Sequence, residues 1–158
     1  MPSSRVACLY VPDLPLQALL RAQPELGAVP LVLTDGTGPR ARVLYRSAKA
    51  AQSGISRGFF VAAARAACAE VVVVPLSEKQ VQAAGAALLD VAAALSPQIE
   101  LGPSHVALEV GDLGRLYPSE LAIAEALTKK AAEVGLLGRT AVASSQLLAR
   151  VLARTASS

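Results

Sequence analysis

The sequence predicts an α+β fold: a mixed sheet with helices on one face, interrupted by a small α/β excursion. Three observations predict it. From Val71 onward the patterning runs strand, helix, strand pair, helix, strand, helix, an order that layers helices on a sheet. A first strand stands well ahead of that run, and the residues between, from about 17 to 70, differ from the rest in charge. The chain has 158 residues, 53% of them hydrophobic and 17% charged. That length suits one domain with an inserted subdomain and can bury roughly two-thirds of its unfolded surface.

The elements follow in order. Val6–Val11 is an apolar run of β-formers closed by Pro12 and Asp13, which reads as a buried strand. Asp13 is placed to cap a helix over Leu14–Ala22 that stops before Pro24. Pro30–Thr34 is a second strand and Arg42–Arg46 a third, joined by the turn-forming Asp35-Gly-Thr-Gly-Pro39 into a hairpin. Ser47–Ser53 is a short helix ended by Gly54, and Phe60–Cys68 another. Val71–Val74, four β-branched residues in a row, reads as a strand covered on both faces. Ser77-x-x-Gln80 is a capping box opening a long helix through Leu95. Ile99–Leu101 and Val106–Val110 form a strand pair, the second alternating as a half-buried strand does. Gly111–Pro118 is a loop carrying Leu113 and Leu116. Ser119 caps a helix through Val134, Thr140–Ala143 is the last strand, and Ser144 or Ser145 caps a helix to about Arg154. The whole resolves into a ferredoxin-like α+β layer.

Several classes are excluded. High hydrophobicity with modest charge is the reverse of disorder. The longest apolar stretches, such as Ala83–Leu95, carry a Gly or an Asp and fall short of the ~18 residues a membrane span needs, so no membrane partner is expected. The N-terminus Met1–Val11 is too short and strand-like for a signal peptide. Cys8 and Cys68 sit among small apolar residues and read as buried, reduced thiols of a cytoplasmic protein. With one His and no Cys/His cluster, no structural zinc site is expected.

The charge is uneven. Residues 1–65 carry seven Arg and one Lys against three acids, and residues 66–158 carry four Arg and three Lys against nine. No acid lies between Asp35 and Glu70, where Arg40, Arg42, Arg46, Lys49, Arg57 and Arg65 stand. Such a patch suits a polyanion, or is a solvated face. Arg40, Arg42, Arg46, Lys49 and Arg57 are the candidate DNA contacts.

The ordered set of motifs resembles the palm and fingers of Y-family translesion DNA polymerases over nearly the whole chain. The matching pieces are Pro30–Leu33, Gly54-Ile-Ser-Arg-Gly58, Cys68-Ala-Glu-Val-Val-Val-Val-Pro75, Leu95-Ser-Pro-Gln-Ile-Glu100, Ala107-Leu-Glu-Val-Gly111, Thr140–Ala143 and Leu147–Arg154. The resemblance implies a palm of residues 1–16 and 71–158 with a fingers-like insertion of 17–70. It also implies phosphoryl transfer through two Mg²⁺ ions held by carboxylates. Here the sequence departs. The first-strand Asp falls on Tyr10 or Val11, and the Asp-Glu pair on Ser104-His105. The phosphate-clamping Tyr and Arg fall on Ala48 and Ala51, and the sugar-gating aromatics near Pro15 and Leu16. Asp13 is accounted for by capping. Glu109 lies four residues beyond His105, ~13 Å along a strand. Neighbours on a strand face opposite ways, which argues against a Ser104–His105 catalytic pair.

This character resembles the ImuB-type proteins of bacterial mutasomes, and Tyr10-Val-Pro-Asp-Leu-Pro-Leu-Gln17 is the most specific match. That resemblance implies a catalytically inactive pseudo-polymerase, not an enzyme, without metal or cofactor. It would act in induced (SOS) mutagenesis and translesion synthesis by recruiting a RecA-like, ImuA-type ATPase and an error-prone replicative-type polymerase. It covers only the N-terminal part of that group, so clamp binding is not expected. Weak sequence-independent DNA binding and a divergent polymerase are the alternatives. Interfaces favour aromatic anchors, so Phe59, Phe60, Leu113, Leu116 and Tyr117 are the candidate partner contacts.

Overall fold

The computed structural model describes residues 4–156. Its contacts divide the chain into two units, residues 1–14 with 82–158, and residues 15–81.

The first unit is built on four strands: β1 (Val6–Tyr10), β5 (Ile99–Leu101), β6 (His105–Glu109) and β7 (Arg139–Ala143), in the order β5-β6-β1-β7. β1 and β5 have β6 between them, the split βαβ order expected of a ferredoxin-like layer. All three pairings are antiparallel, so this sheet is not mixed as the sequence suggests. The register sets Tyr10 opposite His105 on one side and Arg139 on the other.

Because paired residues share a face, the sheet has two distinct sides. On one, α4 (Glu78–Ala93) brings Gly85 against Leu101, and α5 (Glu120–Glu133) joins Thr128 to Thr140 by a 2.8 Å hydroxyl hydrogen bond. On the other lies α6 (Gln146–Thr155), where Ala149 and Ala153 pack on Cys8 and Ala143. Only α4 and α5 share the face the sequence assigns to all the helices. Ser119 and Ser145 cap α5 and α6, accepting from the amides of Ala122 and Leu148; of the two serines proposed for α6, Ser145 is the cap.

The second unit holds β2 (Leu31–Thr34), β3 (Val43–Arg46) and β4 (Val72–Pro75), in the order β3-β2-β4. β2 and β3 form the expected antiparallel hairpin, and β4 runs parallel to β2. This pairing corrects the sequence reading of Val71–Val74. The segment is an edge strand, half-buried over Val72–Val74, and its partner carries it into this unit. The unit therefore begins at Pro15 and runs past residue 70 to Val81.

Around this sheet, α1 (Leu14–Ala22) packs Leu16 and Leu19 against Leu31 and Leu33. α2 (Ala48–Gln52) and α3 (Val61–Ala67) supply Ala50 and Ala64 to a second cluster with Val32, Val43 and Ile55. Gly54 and Gly58 have φ of +88° and +85°, left-handed turns that glycine adopts without strain. Asp13 also has a positive φ, +48°, where a helix cap takes an extended conformation. Among the described residues no helix is long and apolar enough to cross a membrane.

Candidate functional site

The ends of β1 and β6 and one side of α6 meet in a cleft of about 350 Å³ in the first unit, lined by Tyr10, Pro103, Ser104, His105, Arg150 and Arg154. The turn between β5 and β6 shapes one wall. Gly102 donates its amide to the carbonyl of His105 at 2.8 Å, and the His105 ring lies directly on Gly102. A side chain at 102 would occupy the space the imidazole fills.

The other walls are basic. Arg150 and Arg154, one helical turn apart, both line the cleft. The Arg154 guanidinium lies 5.7 Å from the Tyr10 ring centroid, and that of Arg139 lies at the same distance, within cation–π range. Arg139 donates to the carbonyls of Arg154 and Ala156, tying β7 to the C-terminal end of α6, where a cation suits the helix dipole. Its Nε is buried without a partner. His105 is 7% exposed. Burial holds its pKa below 6.5, and the charge of Arg150 lowers it further. Beneath the cleft Cys8 is fully buried, which pushes its thiol up to about 11 and leaves it protonated and inert. Cys68, read as buried, is only half-buried.

The positions expected to have lost acids come together here. The Val11 amide donates to the carbonyl of Ser104 at 2.8 Å, and Tyr10 pairs with His105. Val11 is fully buried, whereas Tyr10 lines the cleft. Ser104 and His105 both line it, against the expectation of opposite faces, because Ser104 lies in the turn before β6 rather than on the strand. No hydrogen bond joins their side chains. Glu109, at the far end of β6, accepts from Ser4. Oxygen-rich coordination is what Mg²⁺ requires, and a cleft lined by two guanidinium groups and an imidazole does not fit it. Among the described residues no three His, Cys, Asp or Glu side chains are grouped to hold a metal.

The basic candidates of the second unit are partly committed to its own structure. Arg42 donates to the carbonyl of Gly58 and stacks 4.4 Å from the Phe60 centroid. Arg46 donates to Ile55, Lys49 to Ala28, and Arg57 lies over Tyr45. Arg40 and Arg65 are exposed. Of the candidate interface residues here, Phe59 packs against the core and Phe60 is exposed. In the first unit Leu113, in the 3₁₀ turn Gly111–Arg115, and Tyr117, just beyond it, are half-buried, and Leu116 is 76% exposed.

Sequence reasoning missed the outward side of α6. Leu147, Leu148, Val151 and Leu152 are all exposed, between 43% and 63%. It also missed Arg139, Arg150 and Arg154 as a group. The i, i+4 spacing of Arg150 and Arg154 was the available signal.

The fold is shared with solved DNA polymerases. A post-insertion binary complex of Dbh DNA polymerase matches at a TM-score of 0.84 and 16% identity, and an insertion ternary complex of the same polymerase at 0.81 and 16%. DinB from Sulfolobus solfataricus matches at 0.79 and 16%. Each match covers 98% of this chain and 46% of the other, so the chain spans about half of the length of these polymerases. A search of curated proteins by sequence finds no match. The shared fold corrects the expectation that the chain is not an enzyme. Missing carboxylates at Val11, Ser104 and His105 suggested a pseudo-polymerase, but the architecture throughout is that of polymerases solved in insertion complexes, and the chain is one part of such an architecture. The palm-and-fingers fold read from the sequence is thus the fold observed. The impB/mucB/samB family model matches residues 9–154, nearly the whole chain, and the chain belongs to that family.

Proposed function

We propose that this chain is the palm-and-fingers part of an ImuB-type protein of induced mutagenesis and translesion DNA synthesis in the cytoplasm, and that it contributes by recruiting other proteins. The partners are a RecA-like, ImuA-type ATPase and an error-prone replicative-type polymerase. One observation carries the reading. The helix α6 buries its alanines and turns Leu147, Leu148, Val151 and Leu152 outward, and an exposed apolar stripe of that kind fits a hydrophobic groove on a partner. Family membership and the segment Tyr10–Gln17 add support. Leu116 and Leu121, on either side of the Ser119 cap, are also exposed.

Co-purification with the RecA-like protein tests this. Leu147→Lys with Val151→Lys, both at exposed positions, is expected to leave the fold intact and weaken capture by tenfold or more, about 1.4 kcal/mol. Leu116→Glu with Tyr117→Ala asks whether the loop shares the contact. Wild-type protein that fails to bind the ATPase at micromolar concentration refutes the recruiting role. A second reading, weak sequence-independent DNA binding, is favoured by the exposed Arg40 and Arg65 in the stretch without acids between Asp35 and Glu70.

A further inference from the structure

We propose that the outer edge of β5 is a docking site for a basic, extended peptide segment of another protein, which adds to the sheet as an antiparallel strand. The inference does not rest on the recruiting role given to α6, which concerns different residues.

β5 ends the order β5-β6-β1-β7, so one of its edges has no strand beside it. The amides of Gly102 and Glu109 donate to the carbonyls of His105 and Gln98, at 2.8 and 3.1 Å. The even-numbered residues of β5 therefore bond to β6. Successive residues of a strand turn their N–H and C=O groups to opposite edges, so Ile99 and Leu101 present theirs outward. Among the described residues no other strand takes up these four groups. Pro97, which has no N–H, and Pro103 bound the segment and confine pairing to these three residues. An open edge of this kind is a template for an added strand.

Register fixes what each face offers an incoming strand. Glu100 pairs with Ala107, and Ala107 with Cys8, on the face that carries α6. On that face a shallow cavity of about 220 Å³ lies beside β5, with Gln98, Glu100, Glu109 and Gln146 in its lining and no Lys or Arg. Glu100 is exposed, and among the described residues no cation pairs with it; the ion pair of this unit is Arg5–Glu120. Ile99 and Leu101 turn to the α4 side. Leu101 lies against Gly85 and is 40% exposed, and Leu89, one turn further along α4, is 37% exposed.

These features select the occupant. In an antiparallel addition Ile99 and Leu101 each exchange two hydrogen bonds with a residue of the new strand. Glu100 then falls in the intervening non-hydrogen-bonded pair, where opposed side chains come closest. The residue opposite Glu100 should be Arg or Lys, with its charged head over the acid-lined cavity. Strands lie about 4.8 Å apart, within reach of an arginine side chain. The residues on either side of it should be aliphatic, to extend the apolar surface of Leu101. A second copy of the chain fits less well, because two-fold pairing over all three residues of β5 sets Glu100 opposite Glu100, and like charges so placed repel. Nucleic acid is repelled by the same acids.

The experiment follows the backbone amides of Ile99 and Leu101 by NMR in the 158-residue chain during titration with the acetylated, amidated peptide Ser-Val-Arg-Val-Ser, and separately with Ser-Val-Glu-Val-Ser. The arginine peptide is expected to give a saturable shift of both amides with a Kd of about 1 mM or below and to slow their hydrogen exchange. The glutamate peptide should bind at least tenfold more weakly. Glu100→Lys, at an exposed position, should reverse that order. Leu147→Lys with Val151→Lys, on α6, should leave the peptide affinity unchanged, so failure of this proposal and failure of the recruiting role are read separately. No saturable shift of the two amides in wild-type protein overturns the proposal, as does equal binding of the two peptides. Protection of the same amides by raising the protein concentration alone assigns the edge to a second copy and also overturns it. Should Glu100→Lys unfold, the two peptides on wild-type protein decide.

Discussion

Gly102→Ala probes the geometry of the cleft directly. A Cβ at this position would fall 2.1 Å from Cε1 of His105, 2.6 Å from Nε2 and 2.7 Å from Nδ1, where ordinary contact begins at 3.4 Å. The three atoms belong to one ring, so the ring has to move as a whole. It is the free end of a side chain, and the strand backbone can stay in place. Overpacking of this kind costs about 1–2 kcal/mol, and the smaller unfolded-state entropy of alanine returns about 0.4–1 kcal/mol. The net loss is about 1 kcal/mol, a fall in Tm of about 2–4 °C. The clearer readout is titration. In the wild type, burial and then Arg150 hold the His105 pKa below 6.5. The unfolded chain thus binds more protons than the folded one in the window between that lowered value and 6.5, so this contribution to stability is complete above pH 6.5 and declines as pH falls through the window. Displacing the ring toward solvent should move its pKa up toward 6.5 and flatten the pH dependence of stability there. The assay is an NMR titration of the single histidine with thermal melts at several pH values. An unchanged titration and an unchanged melt in Gly102→Ala would refute the placement of the imidazole on Gly102.

Further expectations concern both units. Gly138→Ala should be costlier than Gly102→Ala, at about 2–3 kcal/mol, because its Cβ would meet the Tyr10 carbonyl at 2.7 Å, strand backbone that cannot swing aside, as well as the Leu9 side chain at 2.8 Å; a melt within 1 °C of wild type would contradict this. Leu127→Ala removes a fully buried side chain of α5 and should cost about 2–5 kcal/mol in chemical denaturation. DNA binding should be electrostatic, with a log–log salt slope near −0.9 per phosphate contacted. Arg40→Glu with Arg65→Glu should remove most of it while sparing the arginines that brace the second unit; retention at ~0.5 M salt, or a preferred sequence, would contradict an electrostatic contact.

The legible parts of this protein were those set by neighbours in the chain. Ser47, Ser77, Ser119 and Ser145 accept from backbone amides three residues on, Gly54 supplies a left-handed turn, and the β2–β3 hairpin closes across a Gly/Pro turn. These depend on local backbone chemistry, so residue type and spacing suffice. What only tertiary structure decided is pairing between distant segments. Val72–Val74 are as β-prone as a central strand, yet nothing local tells them to join β2 in parallel rather than the sheet of β1. The same holds for α6. Its aliphatics suggest a buried stripe, but the sheet around Cys8 and Ala143 admits only a close approach, which Ala149 and Ala153 allow and leucines would block. The helix therefore lies with its large side chains outward and brings Arg150 and Arg154 to Tyr10 and His105. A cleft assembled from β1, β6 and α6 exists only after burial has chosen which face of each element turns inward, and that choice is made by complementary volume rather than by any one segment's pattern.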